Sequence, residues 1–168
     1  MLEQEKINWM SGNESITSVD KYRMYLEFIE KNPNKLITIN DFRLYNTNLF
    51  IIKLNNIIHI KKTFNIEYNH ELLVIIGGES LKSVDGNFII KNNWYLEKIT
   101  HFNNLSKVSG YFYIIKNWSL KSLCNLDSLE IVGDGKGDNE DFFIYNTTPC
   151  KTKLCLQKLD KINKPQFL

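Results

Sequence analysis

The chain has 168 residues, 43% of them hydrophobic and 24% charged, with a formal net charge of +2. That composition belongs to a single folded domain and excludes a disordered or collagen-like chain. The small net charge gives no argument for nucleic acid, and no apolar run approaches the length of a transmembrane helix. Ala is absent and Pro occurs only three times, whereas ten Phe and eight Tyr join abundant Ile. Without the best helix former, and with β-branched and aromatic residues carrying the apolar content, strands are favoured.

In chain order, the opening MLEQEKINWMSGN lacks a charged segment followed by an apolar one. The three cysteines, Cys124, Cys150 and Cys155, cannot complete a disulfide framework within one chain, so a cytoplasmic protein is expected. Residues 18–31, SVDKYRMYLEFIEK, set Val19, Tyr22, Leu26 and Ile29 on one helical face, with Ser18 as N-cap and NPN at 32–34 as the stop. The expected organisation is one domain over 1–168. An N-terminal segment, 1–34, carries the capping helix, a repeat solenoid fills 35–160, and a tail occupies 161–168.

The solenoid follows from internal repetition. Residues 81–104, LKSVDGNFIIKNNWYLEKITHFNN, and 105–128, LSKVSGYFYIIKNWSLKSLCNLDS, match at a 24-residue offset. Leu81/Leu105, Val84/Val108, Gly86/Gly110, Phe88/Phe112, Ile90/Ile114, Asn93/Asn117, Trp94/Trp118 and Leu96/Leu120 coincide. Stepping back keeps Ile57, Ile60, Phe64, Ile66, Asn69, Leu72 and Ile75 in register, and a shorter copy at 36–56 offers Phe42, Leu44, Thr47 and Leu49. Stepping forward, Leu129, Val132, Phe142, Ile144, Thr147 and Cys150 fit if GDGKGDNED at 133–141 holds an insertion. In each unit Phe88 and Ile90 alternate with polar or outward positions, the period of a half-buried strand. Gly86 and Gly110 are expected at corners needing positive φ, and Asn92, Asn93 and Asn117 in the turn that follows the strand. The L-x-x-I-x-x-F run beyond it is too irregular for a second long strand. Stacked units should pair equivalent strands in parallel and bury Leu81, Leu96, Leu105 and Leu120 with Phe88, Ile90, Phe112 and Ile114.

The motif L-x-x-V-x-G-x-F-x-I-x-N-N-x-x-L of residues 81–96 and its copies resembles the receptor L domain and its bacterial leucine-rich-like relatives. The resemblance implies a short right-handed β-helix, and with the repeat and the 18–31 helix the expected fold is a mainly β chain of four to five coils of about 24 residues closed by an N-terminal helix. It implies ligand-binding or adhesive surfaces but no particular partner. The disulfide-rich, extracellular receptor role is not carried over to this cysteine-poor chain.

No catalytic or metal constellation is read from the sequence. His59, His70 and His101 fall in different parts of their coils, Cys124 and Cys150 occupy apolar columns, and Gly77-Gly78 lacks the flanking residues of a phosphate loop. In 133–141 a lysine, Lys136, stands where a calcium loop needs an oxygen ligand. The expectation is therefore a non-enzymatic chain with no cofactor and no metal.

Alternation makes Arg43, Tyr45, Asn65, Glu67, Asn87, Ile89, Lys91, Tyr111, Tyr113, Ile115, Asp141, Phe143 and Tyr145 the outward positions of the strands. Ile89, Tyr111, Tyr113, Ile115, Phe143 and Tyr145 should form an aromatic docking patch. Beside it, residues 127–141 carry six carboxylates against Lys136, a net of −5, leaving +7 for the rest of the chain. Asp134, Asp138, Glu140 and Asp141 would steer a basic protein partner and repel nucleic acid. The Trp94/Trp118 corner is the alternative docking position. The expected function is an intracellular immunity protein that binds and neutralises a bacterial toxin domain, a basic nuclease being the target its charge suits. The alternative is a surface recognition or adhesion module.

Overall fold

A computed structural model describes residues 9, 11–121, 126–133, 142–145 and 166–167, with positions 145, 166 and 167 described by their backbone alone. Each of the first three coils makes three short strands, where the sequence pattern predicts one. The first coil holds β1 (Ile37–Ile39), β2 (Phe42–Tyr45) and β3 (Ile51–Lys53). The second holds β4 (Ile57–Ile60), β5 (Phe64–Glu67) and β6 (Val74–Ile76), and the third β7 (Ser83–Val84), β8 (Phe88–Lys91) and β9 (Lys98–Ile99). β10 (Lys107–Val108), β11 (Phe112–Ile115), β12 (Ile131–Val132) and β13 (Phe142–Tyr145) continue the series. The irregular L-x-x-I-x-x-F run supplies one of the two extra strands, because Ile75 and Ile99 point inward from β6 and β9.

Equivalent strands stack in parallel into three sheets. One has six strands, ordered β2-β5-β8-β11-β13 and then β14 (Gln166–Phe167); one has five, β1-β4-β7-β10-β12; and one has three, β3-β6-β9. The result is a mainly β solenoid of about four turns, with most coils 24 residues apart. Its six-stranded sheet sets Phe42, Phe64, Phe88, Phe112 and Phe142 opposite one another. Their rings form one stack through the interior, with centroids 5.3, 4.6, 4.9 and 5.1 Å apart in that order. Leu44, Ile66, Ile90, Ile114 and Ile144 form the neighbouring buried column, and Leu81, Leu96, Leu105 and Leu120 are buried as the repeat predicts.

The asparagines do more than turn the chain. Asn92 does sit in the left-handed region, as do its counterparts Asn46, Tyr68 and Lys116. The next residue in each coil points inward instead. Asn69, Asn93 and Asn117 are fully buried, and the Asn69 and Asn93 amides each reach the coils on both sides. Asn93 Nδ2 donates to Ile66 O (2.9 Å) and to Asn117 Oδ1 (3.2 Å), while its Oδ1 accepts from the Asn69 backbone N–H (3.0 Å). Asn117 Nδ2 donates in turn to Ile90 O. Thr47 ends the ladder at the first coil, donating its backbone N–H and its hydroxyl to Asn69 Oδ1.

The repeat glycines have a different role from the one expected. Gly86 and Gly110 do not adopt positive φ. They lie where successive coils approach too closely for a side chain: a Cβ on Gly86 would sit 2.3 Å from Lys62 O, and one on Gly110 would sit 2.2 Å from Asn87 Oδ1. The Gly86 N–H donates to Lys62 O and the Gly110 N–H to Gly86 O, so contact and hydrogen bond coincide.

The first coil is closed by α1 (Val19–Lys31), N-capped by the Ser18 hydroxyl, which accepts from Lys21 N–H. Its buried face is Tyr22, Tyr25 and Phe28, with Leu26 and Ile29 partly covered and Val19 half-buried, a rotation from the predicted stripe. The aromatics win because they reach the exposed end of the coil. Tyr22 meets the first ring of the phenylalanine stack edge-on, its hydroxyl accepts from the Lys53 N–H, and the Tyr25 hydroxyl donates to Asn55 O. Burial pushes the Tyr22 phenol up to about 12, partly opposed by its bond with Lys53, and also raises Tyr25. At the far end, within the 161–168 tail, β14 follows Pro165 directly and pairs with β13. A proline just ahead of a strand withholds no ladder donor from it.

Two stability measurements check this interior. Phe112→Ala opens a gap inside the ring stack and should lower the unfolding free energy by about 3–5 kcal/mol in denaturant titration. Asn93→Leu keeps the branched heavy-atom outline but strips Ile66 O and the Asn69 N–H of a buried partner, each a loss of about 1–3 kcal/mol. Its denaturation midpoint should therefore fall despite the added hydrophobicity.

Candidate functional site

Register on the six-stranded sheet sets the alternate positions of its strands in two rows. Arg43, Asn65, Ile89, Tyr113 and Phe143 share one register line, and Tyr45, Glu67, Lys91, Ile115 and Tyr145 share the other. Tyr111 precedes β11, is 44% exposed, and is anchored by its N–H donating to Asn87 Oδ1. Its ring stacks on Tyr113 at 5.2 Å and 12°, and Tyr113 meets Phe143 edge-on at 6.3 Å. The structure thus brings Tyr111, Tyr113 and Phe143 together. Ile89, Tyr113, Ile115 and Phe143 are only half-buried where full exposure was expected, since neighbouring rungs shield one another. Tyr145 occupies the expected strand position. Asp134, Asp138, Glu140 and Asp141, with Cys124, Cys150 and Cys155, lie outside the described residues.

A larger aromatic surface lies on the corner between the six-stranded and three-stranded sheets. Among the described residues, ten large hydrophobic side chains are exposed, and six of them, Phe50, Ile51, Leu73, Trp94, Tyr95 and Trp118, belong to this corner. Stacking explains the concentration. The turn after the asparagine ladder leaves the interior, so Trp94 and Trp118, which follow Asn93 and Asn117, face outward, and His70, which follows Asn69, is half-buried. Ladder bonds hold these turns side by side, with Leu73 N–H donating to Phe50 O and Ser119 N–H to Trp94 O. Ring contacts run from the sheet onto the corner, Tyr45 to Tyr68 at 5.2 Å, Tyr68 to His70 at 6.4 Å and His70 to Trp94 at 4.8 Å.

The rim of the corner is polar and of mixed charge. Lys121 pairs with Glu97 at 2.9 Å, and that hydrogen bond, reinforced by the ammonium charge, holds the Glu97 carboxyl below its ordinary range. The sequence pattern marks Trp94 and Trp118 through their 24-residue spacing but misses Phe50, Ile51, Leu73 and Tyr95. These occupy neighbouring positions of different coils, where the 36–56 copy is shorter and the alignment slips.

The three histidines lie apart, His59 on the five-stranded sheet, His70 on the aromatic corner and His101 at a left-handed corner residue. No group of three His, Cys, Asp or Glu among the described residues could hold a metal ion, and none of their helices is long and apolar enough to cross a membrane. No protein-family model, characterised protein or solved structure matches the chain.

The difference in exposure is measurable by tryptophan fluorescence. Trp94 is 51% exposed and Trp9 only 1%. A variant keeping Trp94 alone, with Trp9→Phe and Trp118→Phe, should be quenched strongly by acrylamide, whereas one keeping Trp9 alone should be nearly insensitive until it unfolds.

Proposed function

We propose that this chain is a protein-binding solenoid that recognises its partner without acting chemically on it. The observation that carries this reading is the gathering of six exposed large hydrophobics, two of them Trp, on one corner. Apolar patches of this kind mark interaction sites, and Trp and Tyr supply most hot-spot energy. A stack of coils tied by main-chain and asparagine bonds holds those rings in place before contact, which limits the entropy lost on binding. In its specific form, the partner is a bacterial toxin domain neutralised in the cytoplasm, and the chain is its immunity protein. The net −5 of residues 127–141 supports a basic target, whose approach carboxylates accelerate. The second reading, a recognition or adhesion module akin to the receptor L domain, draws on the motif of residues 81–96.

Co-expression with the product of the adjoining reading frame tests both the function and the face used. In the immunity reading the chain restores growth against a toxic product. Trp94→Ala with Tyr95→Ala should abolish that protection through faster dissociation, each lost anchor weakening binding by roughly 2 kcal/mol. Tyr111→Ala with Phe143→Ala, equally folded by circular dichroism, should protect nearly as well. Loss confined to the second pair would move the site to the six-stranded face. A product that is harmless, or that never associates with the chain, would leave the recognition-module reading to be tested by binding to intact cells.

A further inference from the structure

On the five-stranded sheet, away from both aromatic surfaces, three side chains from two consecutive coils form a hydrogen-bonded series. His59 and Ser83 are register partners in β4 and β7, and His59 Nδ1 lies 2.7 Å from Ser83 Oγ. His59 Nε2 lies 3.0 Å from Asp85 Oδ2. The carboxylate can only accept, so a neutral imidazole carries its proton on Nε2 and leaves the Nδ1 lone pair to accept from the Ser83 hydroxyl. That is the polarity a serine nucleophile needs: hydroxyl to base, and base to an orienting carboxylate. No local motif marks it, because His59 and Ser83 stand one 24-residue coil apart and meet only when the coils stack.

We propose that Ser83 is an activated nucleophile, with His59 as its base, that takes an acyl group from an activated ester or thioester. Ser83 Oγ attacks the carbonyl carbon as its proton passes to His59 Nδ1. The carbon–oxygen or carbon–sulfur bond to the leaving group then breaks, and that group departs with the proton from His59, leaving an ester on Ser83. Asp85 is a positioning residue that holds the ring and offsets its positive charge. The nearby main chain is committed to the sheet, with Lys82 N–H donating to Ile58 O and Asp85 N–H to Ile60 O. Charge on the carbonyl oxygen therefore falls to a side chain, and Lys107, exposed and in register with Ser83 on β10, supplies an ammonium one strand away. His59 and Ser83 sit on an open, partly exposed sheet face, which suits small, unbranched acyl groups on reactive leaving groups rather than peptides. The proposal does not rest on the protein-binding reading, because it uses a different face.

The test treats the full chain with a fluorophosphonate probe, which forms a phosphorus–oxygen bond to an activated serine and expels fluoride, and locates the label by peptide mass spectrometry. Ser83 should be labelled well ahead of Ser106 and Ser109. Ser83→Ala should remove the label, and His59→Gln should slow it roughly 100-fold or more. Asp85→Asn should also slow it, with Asp85→Glu restoring part of the rate, a rescue that a merely structural contact would not give. p-Nitrophenyl acetate should release one burst equivalent of nitrophenolate from the parent chain and none from Ser83→Ala. Labelling of Ser83 no faster than of Ser106 and Ser109 overturns the proposal, as does an unchanged rate in His59→Gln with a parent-like melting curve. In either case the three groups are an inert clasp between coils.

Discussion

The buried amide ladder is the constraint on which the rest of this fold depends. An asparagine side chain in an apolar interior is destabilising unless every donor and acceptor is used. Here each one is used only when the coils above and below are stacked in register, because Asn93 addresses Ile66 on one side and Asn117 on the other. A slip of one residue would leave several buried polar groups without partners. The inward and outward alternation of the strands opposes that slip as well, but a slip of two residues keeps each face, and there the ladder decides, since Ile, Leu and Val are nearly interchangeable neighbours. The ladder therefore supplies specificity while the phenylalanine stack and its aliphatic neighbours supply most of the driving force.

That division of labour also explains the surface. A ladder residue pointing inward forces the chain outward immediately afterwards, and in four successive coils it does so at the same place. Any side chain placed there is displayed beside its counterpart from the next coil, about 4.8 Å away. Trp94 and Trp118 are displayed this way. The same logic aligns His59 with Ser83 on another face. Function in such a molecule is a matter of which columns receive chemistry, because the backbone holds every column straight.

Much of the fold could be read from spacing. The 24-residue offset identified the coils and the inward Phe and Ile positions, and helical spacing with local capping chemistry identified the helix and its Ser18 cap. What remained hidden depended on contacts between coils. The roles of Gly86 and Asn93 look like turn chemistry in a single unit, and only the neighbouring backbone shows that one makes room and the other bridges. Three strands per coil escaped notice because strands as short as Lys98–Ile99 leave no alternation to detect. Of the site, the Tyr111–Tyr113–Phe143 grouping was legible from alternation. The Phe50 and Leu73 side of the corner was not, since its residues meet only across a slip in repeat length.

The repeat is also less interchangeable than its spacing implies. Phe102 leans out of its own coil and packs edge-on against both Phe64 and Phe88, filling space that Gly78 leaves in the coil before it. A Cβ at Gly78 would come within 2.9 Å of that ring. Duplicating residues 81–104 in tandem would set a phenylalanine at the slot preceding another Phe102, where only the smallest residue fits. The second and third coils are thus a matched pair, and the solenoid cannot be lengthened at that junction by copying its own most regular unit. Growth of the array, in evolution or by design, would have to begin on the far side of Phe102.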